Sequence, residues 1–438
     1  KLMLDKNGWV TKLDKACRAT KILCSGDDVK YPSGTYVMLY EGEGEIQLLA
    51  PIGVIRKTGQ GRLEIDVDSK RGMFAIDLIS TNPQNPMRNI RVIAPGLESS
   101  YQDNPWHPAF LKRWAGVASI RVMDMMATNH STQMLWENRP KPEDVSYAEK
   151  GVPVELLVDL ANRLGTDVWF CMPHLANDEF IKQFAMVVKR NLKPQLHAWV
   201  EYSNELWNGG FDQYDYAAKQ GQALKLSNNV WEGAFLYNAK RSVEIFKIWE
   251  AVFGGDDRLV RVMASQASNG WLSFQLLKAP DVLAHTDVLA IAPYIAMNVP
   301  ITADDGVLSA AKVAKWNLDQ VFEYINTVAL PDANRWIDEN KQVADAYGVK
   351  LVAYEAGQHL VGVSGAEKND NLSRLLINAN QDVRMGEVYA NHLKHWQTAG
   401  GDVICMFNST QGWSPYGSWG LLQNYNDSAS ESPKFKSV

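Results

Sequence analysis

The sequence lacks any run of the roughly 20 apolar residues that would cross a bilayer as a helix. It also lacks a basic excess. Lys and Arg number 44 against 50 Asp and Glu, a net charge of −6, which argues against nucleic acid as a partner. Cysteine is scarce, and the four present do not have zinc-ligand spacing. Cys17 and Cys24 lie near enough in sequence to bridge, whereas Cys171 and Cys405 sit in apolar runs where buried thiols are common. No G-x-G-x-x-G follows an early strand, and there is no Walker loop, so nothing supports nucleotide binding. No G-x-S-x-G supports a serine hydrolase. The first residues, Lys1-Leu-Met-Leu4, do not form a charged-then-apolar leader. We expect a secreted protein whose leader has been removed or is missing. Aromatic residues are abundant instead, with 15 Trp, 16 Tyr and 13 Phe in 438 residues. In an acidic chain these suit either stacking on sugars or core filling.

Two regions differ in rhythm. Residues 1–95 carry six short alternating or apolar runs, at 35–40, 45–49, 53–56, 63–67, 73–79 and 89–93, punctuated by Gly, Asp, Asn and Pro. They predict a small β-sandwich. Across 96–438, apolar runs at 117–123, 167–172, 197–202, 259–264, 288–292, 350–354 and 402–407 alternate with helical stretches. The helical stretches are 154–164, 178–191, 235–253 and 335–347. Alternation of this kind predicts an α/β fold with a parallel sheet buried on both faces. Seven runs are one short of a (β/α)8 TIM barrel. The missing strand is expected upstream of residue 1 or within the N-terminal region.

A barrel places its chemistry where strands end. The third run leads out through Trp199-Val-Glu-Tyr-Ser-Asn-Glu-Leu-Trp207, and the sixth through Leu351-Val-Ala-Tyr-Glu-Ala-Gly-Gln-His359. Each carries a glutamate just past an apolar strand, Glu205 and Glu355. Two facing carboxyls are what glycosidic cleavage requires, one to protonate the leaving oxygen and one to attack the anomeric carbon. Other strand ends supply Arg121, Asp124, His174, Gln266, Tyr294 and Trp419.

These motifs resemble those of the clan A (β/α)8 glycoside hydrolases, in style the family 5 endoglycanases. Glu201-x-x-Asn204-Glu205 is similar to their acid/base motif at strand four, and Glu355 to their strand-seven nucleophile. The resemblance implies that Arg121 steadies the nucleophile and that Asn204 binds the sugar 2-hydroxyl. It likewise implies site roles for His174, Tyr294 and the platform Trp419. Leu206 stands where family 5 usually has proline. The segments around Glu205 and Glu355 also resemble secreted microbial proteins labelled cellulose-binding-domain proteins.

The implied activity is two-step retaining hydrolysis of a polysaccharide, β-1,4-glucan first, with no cofactor and no metal. Trp207, Asp124 and Gln266 complete the expected substrate contacts. Each residue has a plainer reading too. Glu205 suits a helix cap, Glu355 an ion-pair partner of Arg121, His174 a core histidine, and the tryptophans, with Trp271 and Trp413, core packing. His359 lies a few residues beyond the expected site. The rival from another class is a carbohydrate-binding or structural matrix protein without catalysis.

Overall fold

The computed structural model describes residues 2–25, 31–302 and 308–438. The chain divides into two compact units, Lys1–Ala115 with Pro140–Pro153, and Gly116–Arg139 with Val154–Val438.

The first unit opens with a hairpin of β1 (Leu2–Leu4) and β2 (Val10–Leu13). Seven strands follow: β3 (Ala19–Cys24), β4 (Gly34–Glu41), β5 (Gly44–Leu48), β6 (Gly53–Gly59), β7 (Arg62–Val67), β8 (Phe74–Thr81) and β9 (Arg88–Ile93). They form two antiparallel sheets, ordered β3-β8-β5 and β6-β7-β4-β9. Alternation decides their faces. In β7, Leu63, Ile65 and Val67 are buried while Arg62, Glu64 and Asp66 are less so. Inward residues of both sheets, among them Met38, Ile65, Phe74 and Ile76, share one hydrophobic core. This is the sandwich the turn spacing predicts, with β3 and the hairpin added. No disulfide joins Cys17 to Cys24.

The second unit is a helix-covered parallel sheet of barrel type. Its strands are β10 (Ser119–Arg121), β11 (Asp167–Met172), β12 (Ala198–Tyr202), β13 (Leu259–Ala264), β14 (Val288–Ile291) and β16 (Lys350–Ala353), hydrogen-bonded in that order. Residues 402–405 run parallel beside β16. Asp402 N–H donates to Leu351 O, Ala353 N–H to Val403 O and Cys405 N–H to Ala353 O. The pairing there is short, a single bridge between Ala353 and Ile404. Seven strand positions are thus occupied among the described residues, and no strand fills the first.

The sheet curls. Flat, its outer strands β10 and β16 would stand five spacings apart, roughly 24 Å. Instead Arg121, at the end of β10, donates from Nη1 to Glu355 Oε1, just past β16, at 2.8 Å. Inside the curl, Trp169, Cys171, Trp199, Val262, Ala290, Val352 and Tyr354 form one cluster, joined by Cys405. Strands buried on both faces need continuous apolar sequence, and Val168 through Met172 are all buried.

Helices begin on asparagine caps where the chain leaves the strands. Asn177 starts Asp178–Asn191 and Asn229 starts Val230–Phe253. Helices end on glycines at the opposite side, with Gly254 at φ 82° and Gly348 at φ 71°, conformations that suit glycine. A second parallel pair, β15 (Ile295–Val299) with β17 (Gln358–Gly362), continues past the ends of β14 and β16. Sequence periodicity does not anticipate this pair. No helix among the described residues is long and apolar enough to cross a membrane.

Candidate active site

Arg121 organises the carboxyl ends of the strands. Its side chain is 4% exposed. It donates from Nε and Nη2 to Glu201 (3.0 and 3.1 Å), from Nη2 to Asn204 Oδ1 (2.8 Å) and from Nη1 to Glu355 (2.8 Å). Its guanidinium also lies over Tyr354 and Trp169, 5.0 and 5.6 Å from the ring centroids. Glu201 accepts further from Trp169 Nε1 at 2.8 Å and Cys171 Sγ at 3.5 Å. With every acceptor taken, Glu201 is the structural carboxylate that holds Arg121 in place.

Glu355 has both oxygens engaged, Oε1 by Arg121 and Oε2 by the Tyr294 hydroxyl at 2.8 Å. Burial pushes its carboxyl up, while Arg121 and Tyr294 pull it back toward the ionised form. Tyr294 remains a donor, because burial and the neighbouring Glu355 charge hold its phenol well above the usual range.

Glu205 sits on a different kind of support. It accepts from Asn208 Nδ2 at 2.8 Å and, more distantly, from the Tyr354 hydroxyl at 3.4 Å. No cation pairs with it among the described residues. Burial, and then the Glu355 charge, push it up to about 7. One guanidinium thus bonds to two carboxyls, Glu201 and Glu355, and acts on the third, Glu205, only through space.

The turn that carries Glu205 is strained. Ser203 and Glu205 have φ of 59° and 45°, left-handed values rare for residues with side chains. Each costs on the order of 1–3 kcal/mol and persists only where surroundings impose it. Here Asn204 is held from several sides. Its Nδ2 donates to Asn129 Oδ1 at 3.1 Å, and its carbonyl accepts from Gln213 Nε2 at 2.9 Å. Gln213 also donates to Asn129 at 2.7 Å.

No family model matches the chain, and no curated protein matches its sequence. Solved structures do. A family 51 arabinofuranosidase from Xanthomonas axonopodis pv. citri is similar at 12% identity over 69% of this chain and 59% of that one, TM-score 0.42. A 4-O-alpha-L-rhamnosyl-beta-D-glucuronidase from Fusarium oxysporum 12S is similar at 12% identity over 78% and 66%, TM-score 0.45. A broad specificity endoglucanase of family 5 from Clostridium longisporum is similar at 12% identity over 76% and 99%, TM-score 0.41. This chain spans less than two thirds of the length of the first two.

Four of the residues singled out in the sequence, Arg121, Asn204, Tyr294 and Glu355, are joined by hydrogen bonds, and Glu205 accepts from Tyr354, whose ring faces the Arg121 guanidinium. Trp419 lies alongside. Its ring packs on Phe407 and on His359, with centroids 6.2 and 5.5 Å away. Gly417, at φ 142°, lets it fold back, since a Cβ there would sit 2.3 Å from the indole. The Ser418 carbonyl, one residue before Trp419, accepts from Gln358 Nε2 and Lys434 Nζ at 2.8 and 2.6 Å.

The remaining candidates make no hydrogen bond to this cluster among the described residues, although the Arg121 charge acts on the Asp124 carboxyl. His174 is buried, packs edge-on against Tyr216, and is pushed down to about 4 by burial, so it is neutral. Trp207 buries an indole N–H that has no partner among the described residues. Asp124 is exposed, and Gln266 makes no side-chain hydrogen bond to the cluster. The tryptophans divide as well. Trp169 and Trp249 are fully buried core residues, and Trp413 faces the Lys434 ammonium 4.6 Å from its centroid. Trp271 is 52% exposed but lies on a helix flank, stacked against Trp231. Asn129, Gln213 and Asn208 were not foreseen as site residues. Asn129 stands out in the sequence only as part of an Asn-x-Ser triplet. Among the described residues no group of three or more His, Cys, Asp or Glu is arranged to hold a metal ion.

Lys434 yields a stability prediction. Burial pushes its ammonium from the usual 10.5 down to about 7. Between those values the unfolded chain binds a proton that the folded chain has released, so stability rises with pH across that window and is poorest below it. Lys434→Met removes this contribution. Thermal unfolding of both proteins at pH 7 and pH 10 should show wild type gaining on the variant as pH rises. A pH-independent difference contradicts the buried, readily deprotonated amine.

Proposed function

We propose that the chain is a retaining glycoside hydrolase that cleaves internal β-glycosidic bonds of a polysaccharide, with β-1,4-glucan the first candidate. The observation that carries this reading is the split environment of two neighbouring carboxyls. Glu355 accepts from Arg121 and Tyr294, which favour its ionised form against the upward push of burial, while Glu205 has no ion-pair partner among the described residues and is pushed up to about 7. A nucleophile and a proton donor need these two states at one pH.

In the first step a Glu355 oxygen attacks the anomeric carbon. The carbon–oxygen bond to the leaving sugar breaks, and Glu205 delivers its proton to that oxygen. The product is a glycosyl ester on Glu355. Glu205, now ionised, then takes a proton from water as that water displaces Glu355, restoring both groups. Two inversions leave the anomeric configuration unchanged. Arg121 and Tyr294 balance the carboxylate as its charge is lost and regained. Asn204, oriented by Arg121 and Asn129, is placed to bind the 2-hydroxyl. A polymeric substrate places the protein outside the cell.

The test is a panel of β-1,4-glucan, β-1,3-glucan, xylan and mannan with product sizing, and NMR of the first anomer released. Inversion defeats the two-step route. No cleavage of any polymer favours binding without catalysis. The pH profile is a separate check. The acid must be protonated, so kcat/KM should fall as pH rises through about 7. Activity that stays flat to pH 9 removes Glu205 as the acid.

A further inference from the structure

Tyr294 immediately precedes β15 and Glu355 lies three residues before β17, so the β15–β17 pair extends past both residues. Alternation splits its residues between two faces. Ile295, Met297, Val299, Gln358 and Leu360 are buried, whereas Ala296, Asn298 and His359 are not fully buried. The register pairs Ala296 with His359, so these three lie on one side. On that side the His359 ring meets the Tyr294 ring edge-on at 5.6 Å and the Trp419 ring at 5.5 Å. His359 is thus wedged between the tyrosine that holds Glu355 and the aromatic platform.

Its hydrogen bonding is specific. His359 Nδ1 lies 2.7 Å from Asn298 Oδ1. A carboxamide oxygen only accepts, so Nδ1 carries the proton and the lone pair falls on Nε2. Burial holds the ring below the ordinary histidine range, which keeps it neutral. The titratable groups next to it are the Tyr294 phenol and, behind that, Glu355. Trp419 and Asn298 carry no charge. A neutral imidazole with a free acceptor, beside a stacking platform, offers what a sugar hydroxyl donor needs.

We propose that His359, with its tautomer set by Asn298, is a substrate-binding residue that accepts a hydrogen bond from a hydroxyl of the sugar stacked on Trp419. This rests on the site being a carbohydrate site, though not on its being catalytic.

The test uses the full chain carrying Glu355→Gln, so that no turnover intervenes. Affinity gel electrophoresis against soluble β-1,4-glucan, xylan and mannan reads binding. His359→Phe keeps a ring against Tyr294 and Trp419 but removes the acceptor, and it should weaken binding about tenfold, one hydrogen bond's worth. His359→Ala should do at least as much. Asn298→Asp should make the ring cationic and remove its acceptor, so that binding weakens further as pH falls from 8 to 6. Wild-type Asn298 should show no such slope. Thermal unfolding of each variant separates misfolding from loss of contact. Binding by His359→Phe equal to the parent overturns the inference and leaves the ring a packing element. Weakened binding by a protein that cleaves nothing keeps the inference and removes the hydrolase reading. A parent that binds no polymer of the panel overturns both.

Discussion

Glu355→Gln should lower polysaccharide turnover by on the order of 10³-fold or more, with the fold intact. The amide keeps the shape, but its single oxygen can accept from only one of Arg121 and Tyr294, and it cannot form the glycosyl ester. Glu205→Gln should lose roughly 10²–10⁴-fold, the usual worth of a general acid, and should also lose the alkaline limb near pH 7. A second pair of variants separates the roles. In Glu355→Gly an added azide ion can enter from the vacated face and give a glycosyl azide of inverted configuration. In Glu205→Ala the ester still forms, and azide should trap it with net retention. Reversed stereochemistry would exchange the two assignments. Full turnover in either Gln variant ends the proposal for that residue.

Arg121→Met should be the most damaging single change to stability. It leaves Glu201, 1% exposed, without its cation, and strips Asn204 of the bond that helps hold the strained turn. Removing one partner of a buried ion pair typically costs about 3–5 kcal/mol, because the other charge stays behind in low dielectric. The pH dependence follows from the same physics. Without Arg121, burial is opposed only by the neutral donors Trp169, Cys171 and Tyr294, so the folded-state values of Glu201 and Glu355 rise further above those of the unfolded chain. The folded form then binds more protons, and the variant loses stability as pH rises above the ordinary carboxylate range. The deficit against wild type should therefore be larger at pH 7.5 than at pH 5. Urea unfolding at both values measures it. A deficit under about 1 kcal/mol at pH 7.5 would place Arg121 among ordinary surface ion pairs. Activity should fall too, since the Arg121 charge keeps Glu355 ionised.

The legible parts of this site share a feature. Glu205 and Glu355 each follow an apolar run that reads as a buried strand, and Arg121 lies within the run 117–123, where it ends β10. Local pattern placed them at strand ends, and parallel strand ends converge by topology. The illegible parts depend on contacts between distant segments. Asn129 meets Asn204 across 75 positions and Gln213 across 84. Nothing near Asn129 announces this. The β15–β17 pair was hidden for a local reason. Pro293 cannot donate to a ladder, and Gly357 at φ 129° breaks the extended chain, so each strand reads as ending where it only pauses. The same break hid His359.

The fifteen tryptophans show where composition stops. Indoles that fill the core, such as Trp169 and Trp249, cannot be told from an indole beside the cleft, such as Trp419, until burial is known. Sequence alone determined the two rhythms of the chain and the strand-end glutamates, because alternation, apolar runs and turn residues act over a few positions. The bounds of the compact units, with Pro140–Pro153 in the first, do not follow the change of rhythm at 95. Only the tertiary structure decided which carboxyls bond to the guanidinium and which stands without it. That difference depends on one buried guanidinium shared unequally among Glu201, Glu355 and Glu205, and electrostatics in a low-dielectric interior is set by distance in space rather than along the chain.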